Sequence, residues 1–134
     1  SKNIGKQLVH NFHKAGMDCT SDQWQALIYL YHFDGQNQQA LAEFTNKDKA
    51  GVTRIVDALQ KAGYLERQTD PKDRRNNLIY LTPKGRAFAE DLATIAVQTL
   101  EQATQGIPAD EVQQAVRTLH ALNENLKHLL HEEA

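Results

Sequence analysis

The chain has 134 residues, the size of one ordinary domain, with 40% hydrophobic and 24% charged residues, a globular rather than a disordered composition. Its 15 Lys and Arg against 17 Asp and Glu leave a net charge of −2, which taken alone speaks against a nucleic-acid partner. One cysteine excludes an internal disulfide framework, the apolar run 26–31 is far short of the roughly 20 residues a membrane span needs, and Ser1-Lys2-Asn3 opens no apolar signal segment, so a cytoplasmic protein without a membrane partner is expected.

Helical periodicity dominates the first third. Ile4, Leu8, Phe12 and Ala15 recur at helical spacing, and Gly16 ends the pattern. Thr20 with Gln23 three residues on is a capping-box signature for a second helix. Its apolar face is Trp24, Leu27, Ile28 and Tyr31, and Asp34-Gly35 breaks it. Asn37 is placed to cap a short helix from Gln38 to about Phe44 that buries Leu41 and Phe44. After the polar turn Thr45-Asn46-Lys47, Asp48 caps the next helix, which buries Val52, Ile55, Val56, Leu59 and Ala62 and stops at Gly63. Two helices joined by so short a turn match the helix-turn-helix pattern.

The pattern then changes. Tyr64–Thr69 and Leu78–Leu81 favour strands, and the polar stretch 70–77 between them reads as a long charged hairpin tip. Thr82-Pro83 restarts a helix that runs to about Gln105 on Phe88, Leu92, Ile95 and Leu100. Past Gly106 and Pro108, Val112, Leu119 and Leu126 interleave with Ala115, Leu122 and Leu129, a seam suited to helix-on-helix packing. The expected fold is therefore mainly α with a small β-wing: a winged helix-turn-helix flanked by long N- and C-terminal helices. No repeat or linker divides it.

Charge is segregated along this order. Residues 47–86 hold ten cations and five acids, a net +5, and the rest of the chain carries −7. The runs Gln38-Gln39-Ala40-Leu41-Ala42-Glu43-Phe44, Asp48-Lys49-Ala50-Gly51-Val52-Thr53-Arg54-Ile55-Val56-Asp57-Ala58-Leu59 and Lys61-Ala62-Gly63-Tyr64-Leu65-Glu66-Arg67 resemble the multiple-antibiotic-resistance regulator (MarR) family. So do Asp70-Pro71-Lys72-Asp73-Arg74-Arg75 and Leu78-Ile79-Tyr80-Leu81-Thr82-Pro83-Lys84-Gly85. The resemblance spans about residues 20–90. It implies a homodimeric winged-helix transcriptional regulator, expected to be a repressor, bound to a pseudo-palindromic operator and released by a small-molecule or stress signal. The winged lobe would occupy 20–90, and the dimerisation helices 1–18 and 86–134, in one domain.

Residues 49–61 form the candidate recognition helix, with Lys49, Ala50, Thr53 and Arg54 on its outer, N-terminal part, where such a helix meets base edges and phosphates. Gln38 could donate to a phosphate. Asp73 and Arg75 match the family's Asp-x-Arg pair, which implies a carboxylate bracing a guanidinium that enters the minor groove, where narrow grooves concentrate negative potential. Lys72 and Arg74 are phosphate candidates on the same loop. Gly51 departs from the small polar residue common in the family, so no operator preference carries over; within a helix it costs roughly 0.5–1 kcal/mol relative to Ala. Two half-sites one helical turn apart require a pair of lobes, and the terminal helices carry apolar stripes that the rest of the chain is too short to cover.

Three further features bear on signalling. Cys19 lies between Asp18 and the second helix, open to an oxidant-sensing role or to a hydrophobic staple with Trp24. His10/His13 and His128/His131, with Glu124, sit at helical spacing but match no known zinc pattern, so no metal or other cofactor is expected. Trp24 and Tyr31 are candidates to line an effector pocket or to fill the core. The alternatives are a winged-helix protein-interaction module, which would not need Lys49, Arg54 and Arg75 together, and a regulator sensing oxidants through Cys19. An enzyme is not expected: no nucleophile set, phosphate loop or carboxylate pair stands at an informative spacing.

Overall fold

The computed structural model describes residues 2–133, so Ser1 and Ala134, the outermost residues of the expected terminal helices, lie outside it. Six helices and a three-stranded sheet follow in the order α1 (Lys2–Lys14), α2 (Ser21–His32), β1 (Gln36–Asn37), α3 (Gln38–Thr45), α4 (Lys49–Lys61), β2 (Leu65–Asp70), β3 (Asp73–Leu81), α5 (Pro83–Ala103) and α6 (Ala109–Glu133). The architecture is mainly α with a small antiparallel wing, as the sequence pattern predicts. Two compact units are distinguished, one up to Thr99 and one from Leu100 on.

Side-chain caps start α2, α3, α4 and α5. Thr20 accepts from the Gln23 amide at 3.1 Å while the Gln23 side chain returns to the Thr20 amide, the reciprocal box expected. Asn37 accepts from Ala40 at 2.9 Å, and Asp48 from Gly51 at 2.7 Å. Thr82 accepts from Gly85 at 3.0 Å and its hydroxyl donates to the Gly63 carbonyl at 2.6 Å, so one side chain starts α5 and fixes the end of the α4 turn. Gly85 is required there, since a Cβ would stand 1.9 Å from the Tyr64 carbonyl oxygen.

The core gathers Phe12 of α1, Ala26, Leu27 and Leu30 of α2, Leu41 of α3, Val52, Val56 and Leu59 of α4, Leu65, Ile79 and Leu81 of the sheet, and Ala89 and Leu92 of α5. Trp24 meets Phe12 edge-on at 5.6 Å, and Tyr64 stacks on Phe88 at 4.1 Å. Asn11 of α1 donates to the buried Thr99 hydroxyl of α5 at 2.9 Å.

Four expectations are corrected. Phe44 is about half exposed, because its ring stacks on Tyr29 at 4.5 Å on the outside of α2 and α3, and Leu41 alone carries the inward face with Thr45. Ala62 is exposed, since α4 ends at Lys61 and the chain turns away at Gly63. A short strand, Gln36–Asn37, pairs with Ile79 and Leu78 to make β3 the central strand of three. The long hairpin tip is absent: β3 begins at Asp73, and only Pro71 and Lys72 separate it from β2. The register aligns Thr69 with Asn77 and Gln68 with Leu78, so polar residues 73–77 continue the ladder.

In the second unit, Gly106 takes a positive φ of 81° and Ile107 returns to the Thr104 carbonyl, a left-handed helix stop before α6. Val116, Leu119, Leu122, Leu126, Leu129 and Leu130 of α6 are all exposed.

Candidate nucleic-acid interface

α3 and α4 are joined by a turn in which Asn46 adopts the left-handed conformation (φ 54°, ψ 42°), tolerable for Asn, and donates back to the Ala42 carbonyl. Asp48 then caps α4, leaving Lys49 and Ala50 exposed in its first turn. Gly51 is the third residue of this turn rather than an interior one, and its N–H is the group Asp48 caps. A Cβ there would stand 3.0 Å from the capping oxygen, a close approach that a shift of a few tenths of an ångström in the Asp48 side chain would relieve. Arg54 is exposed one turn further on. Thr53 is half-buried: its hydroxyl donates to the Lys49 carbonyl at 2.9 Å and accepts from the Gln38 amide at 3.1 Å. Gln38 thus points at the recognition helix, with one amide proton left over.

The wing is narrow and charged at its tip. Asp70 accepts from the Lys72 amide at 2.9 Å, an Asx-type turn that holds the hairpin. Asp73 accepts from the Arg75 backbone amide at 3.1 Å. The bracing carboxylate therefore holds the strand under Arg75, and no ion pair joins it to the guanidinium. Strand alternation places Arg75 on the face of Asn77 and Ile79, and Arg74 on the opposite face.

These elements border one cleft of about 570 Å³, lined by Gln38, Gln39 and Ala42 of α3, Lys49 of α4, and Arg75, Asn76 and Asn77 of β3. It brings together Gln38, Lys49 and Arg75 among the sequence candidates. Arg54, Lys72 and Arg74 lie outside its lining, on the exposed faces beside it.

The cations of the basic segment fall into two groups. Lys47 pairs with Asp22, Arg67 with Asp57 and Arg86 with Asp34, and Lys84 donates to the Ala62 carbonyl at 2.8 Å. Among the described residues, the side chains of Lys49, Arg54, Lys61, Lys72, Arg74 and Arg75 have no protein partner, and all six are exposed, Lys61 at the far end of α4. An exposed, unneutralised set beside a short helix-turn-helix is suited to phosphate contact.

Comparison with known proteins agrees with this geometry. Residues 19–76 match the model of the MarR family. A probable transcriptional regulator from Pseudomonas aeruginosa is 30% identical, with 90% of each chain covered and a TM-score of 0.75. A MarR transcriptional regulator from Methanosarcina mazei Go1 is 27% identical with a TM-score of 0.85, covering 96% of this chain and 91% of that one. The uncharacterised HTH-type regulator YkoM of Bacillus subtilis is 26% identical across 96% of this chain and 82% of its own length. The chain belongs to the MarR family.

As a MarR protein it is a DNA-binding transcriptional regulator. Its Cys19 is buried in the core beside the start of α2, and burial pushes the thiol up to about 12, where no thiolate forms near neutral pH. That environment argues against oxidant sensing and for the packing role. Tyr31 donates to Glu90 at 3.3 Å and stacks under Arg86, and Trp24 packs on Phe12, so both serve the α1–α2–α5 core. His13 lies 2.7 Å from Asp18, and among the described residues no group of three or more His, Cys, Asp or Glu is placed to hold a metal.

Sequence reasoning missed Arg67. It ties β2 to α3 and α4 through Gln38, Asp57 and Gln60. A signal existed: Asp57 and Gln60 continue the Lys49–Thr53 stripe of α4 at helical spacing, a polar row that needed a partner.

Proposed function

We propose that the protein is a repressor that occupies a pseudo-palindromic operator as a homodimer and leaves it on a small-molecule or stress signal. The N-terminal part of α4, with Lys49, Ala50, Thr53 and Arg54, enters the major groove. Arg75, its strand held by Asp73, enters the adjacent minor groove, while Lys72, Arg74 and Gln38 meet phosphates. The observation that carries this reading is the set of six exposed, unpartnered cations on α4 and the wing, five of them on the N-terminal part of α4 and the wing tip, beside cations of the same segment that the protein has neutralised.

The dimer rests on a separate observation. The α6 leucines and valine are exposed along a helix whose apolar residues recur at packing intervals, and a second copy would cover them. Residues 20–90 then form the DNA-binding lobe, and 1–18 with 86–134 the dimerisation helices. Release by a signal is supported by family membership alone.

Competition between duplexes from the gene's own neighbourhood and random DNA of equal length tests the reading. A neighbouring inverted repeat should be retained against excess random duplex. Equal retention of both would exclude a sequence-specific regulator.

A further inference from the structure

We infer that Arg67 is a positioning residue for operator reading: through Gln38 it fixes Thr53 so that this side chain reads a thymine by its methyl group. The inference rests on the operator-binding reading above and deepens it. Arg67 stands in β2 with its side chain about one-fifth exposed. Its guanidinium donates to the Asp57 carboxylate at 2.7 Å, to Gln60, and from Nε and Nη2 to the Gln38 amide oxygen at 3.3 Å each.

A guanidinium has donors only, so it must face the oxygen of the Gln38 amide. The amide nitrogen is thereby turned the other way, where it donates to Thr53 Oγ1 at 3.1 Å. The single hydroxyl proton of Thr53 is committed to the Lys49 carbonyl at 2.9 Å. With its proton engaged, Thr53 cannot donate to guanine N7 or O6, or to thymine O4. Its oxygen, already accepting from Gln38, keeps one lone pair, which suits only an amino group of adenine or cytosine, and the methyl is the group with no bond already made. The one apolar feature on the major-groove edge of a base pair is the thymine C5-methyl. Thr53 is therefore a methyl reader, and Arg67 sets it in that role at one remove.

Uracil, which is thymine without that methyl, supplies the test. Each thymine of the duplex retained by the wild-type protein is replaced singly by uracil, and the dissociation constants are compared. One thymine in each half-site should show a loss of about fourfold, the worth of one buried methyl group. Thr53→Val keeps the methyl and should keep this sensitivity; Thr53→Ser removes it and should abolish it. Arg67→Met should flatten the uracil profile at that position, whereas a merely structural role would weaken all duplexes alike. Gln38→Met breaks the relay but spares the Arg67–Asp57 pair, and should flatten the same position even if Arg67→Met does not fold. A uracil profile unchanged in Thr53→Ser, or lost in Thr53→Val, overturns the inference. So does a uracil sensitivity at that position that survives in Gln38→Met, whatever uniform loss the missing Gln38 phosphate contact adds. Failure of the wild-type protein to select any duplex overturns the operator reading itself, and this inference with it.

Discussion

Arg75 and Arg86 lie in the same basic segment and differ in what surrounds them. Arg86 donates to Asp34, whose other oxygen accepts from the Leu81 amide at 2.9 Å, so its charge is part of the junction between the wing and α5. Arg75 has only its backbone amide engaged. Arg75→Ala should therefore lower operator affinity about five- to 150-fold, the 1–3 kcal/mol of a base-edge contact, with the melting temperature unchanged. Electrophoretic mobility shift and thermal denaturation on the same preparation check both halves of that statement. Cys19 is the opposite case, a reactive group made inert by its place. Its folded pKa stands near 12 against 9.0 for the free thiol, so from pH 9 to 12 the unfolded chain ionises and the folded one does not. The contribution of Cys19 is complete below pH 9 and declines as pH rises through that window. At pH 8 an aromatic disulfide reagent should leave the native thiol untouched and titrate it fully in guanidinium chloride; rapid labelling of the native protein would contradict the burial.

At the scale of elements, starts and stops were the most legible feature, because caps are local chemistry. Thr20 with Gln23, Asn37, Asp48 and Thr82 each do what their neighbours in sequence imply. Asp48→Ala should cost about 1 kcal/mol and fray the turn that presents Lys49 and Ala50, measurable by chemical denaturation. Gly85→Ala should cost about 1–3 kcal/mol, since the added carbon would displace either α5 or the Tyr64 carbonyl. The wing was less legible. Residues 73–77 have turn-forming composition, yet they pair with β2 across a two-residue turn, and cross-strand partners outweigh local propensity. Strand β1 has two polar residues and is defined only by Leu78 and Ile79, some forty positions away. Arg67 was hidden for the same reason, its role lying wholly in long-range partners. The outward turn of Phe44 depends on Tyr29 of another helix, which periodicity within α3 alone does not reveal.

On the scale of the whole molecule, the net charge of −2 conceals a division of labour between a +5 segment and −7 elsewhere. The positive part coincides with α4, the wing and the start of α5, the elements proposed to meet DNA. The exposed α6 seam should make the protein dimeric in solution; sedimentation equilibrium should report about twice the 15.1 kDa of one chain, and paired charged substitutions at Leu119 and Leu126 should shift it toward monomer. Whether the free cations of α4 and the wing bind the DNA is the central claim. The salt dependence of binding to the retained duplex tests it most directly, for wild type beside Arg74→Ala. Affinity should fall linearly with salt on logarithmic axes, and the substitution should make the slope shallower by about 0.9 for each phosphate that Arg74 neutralises. An identical slope in the two proteins would contradict it.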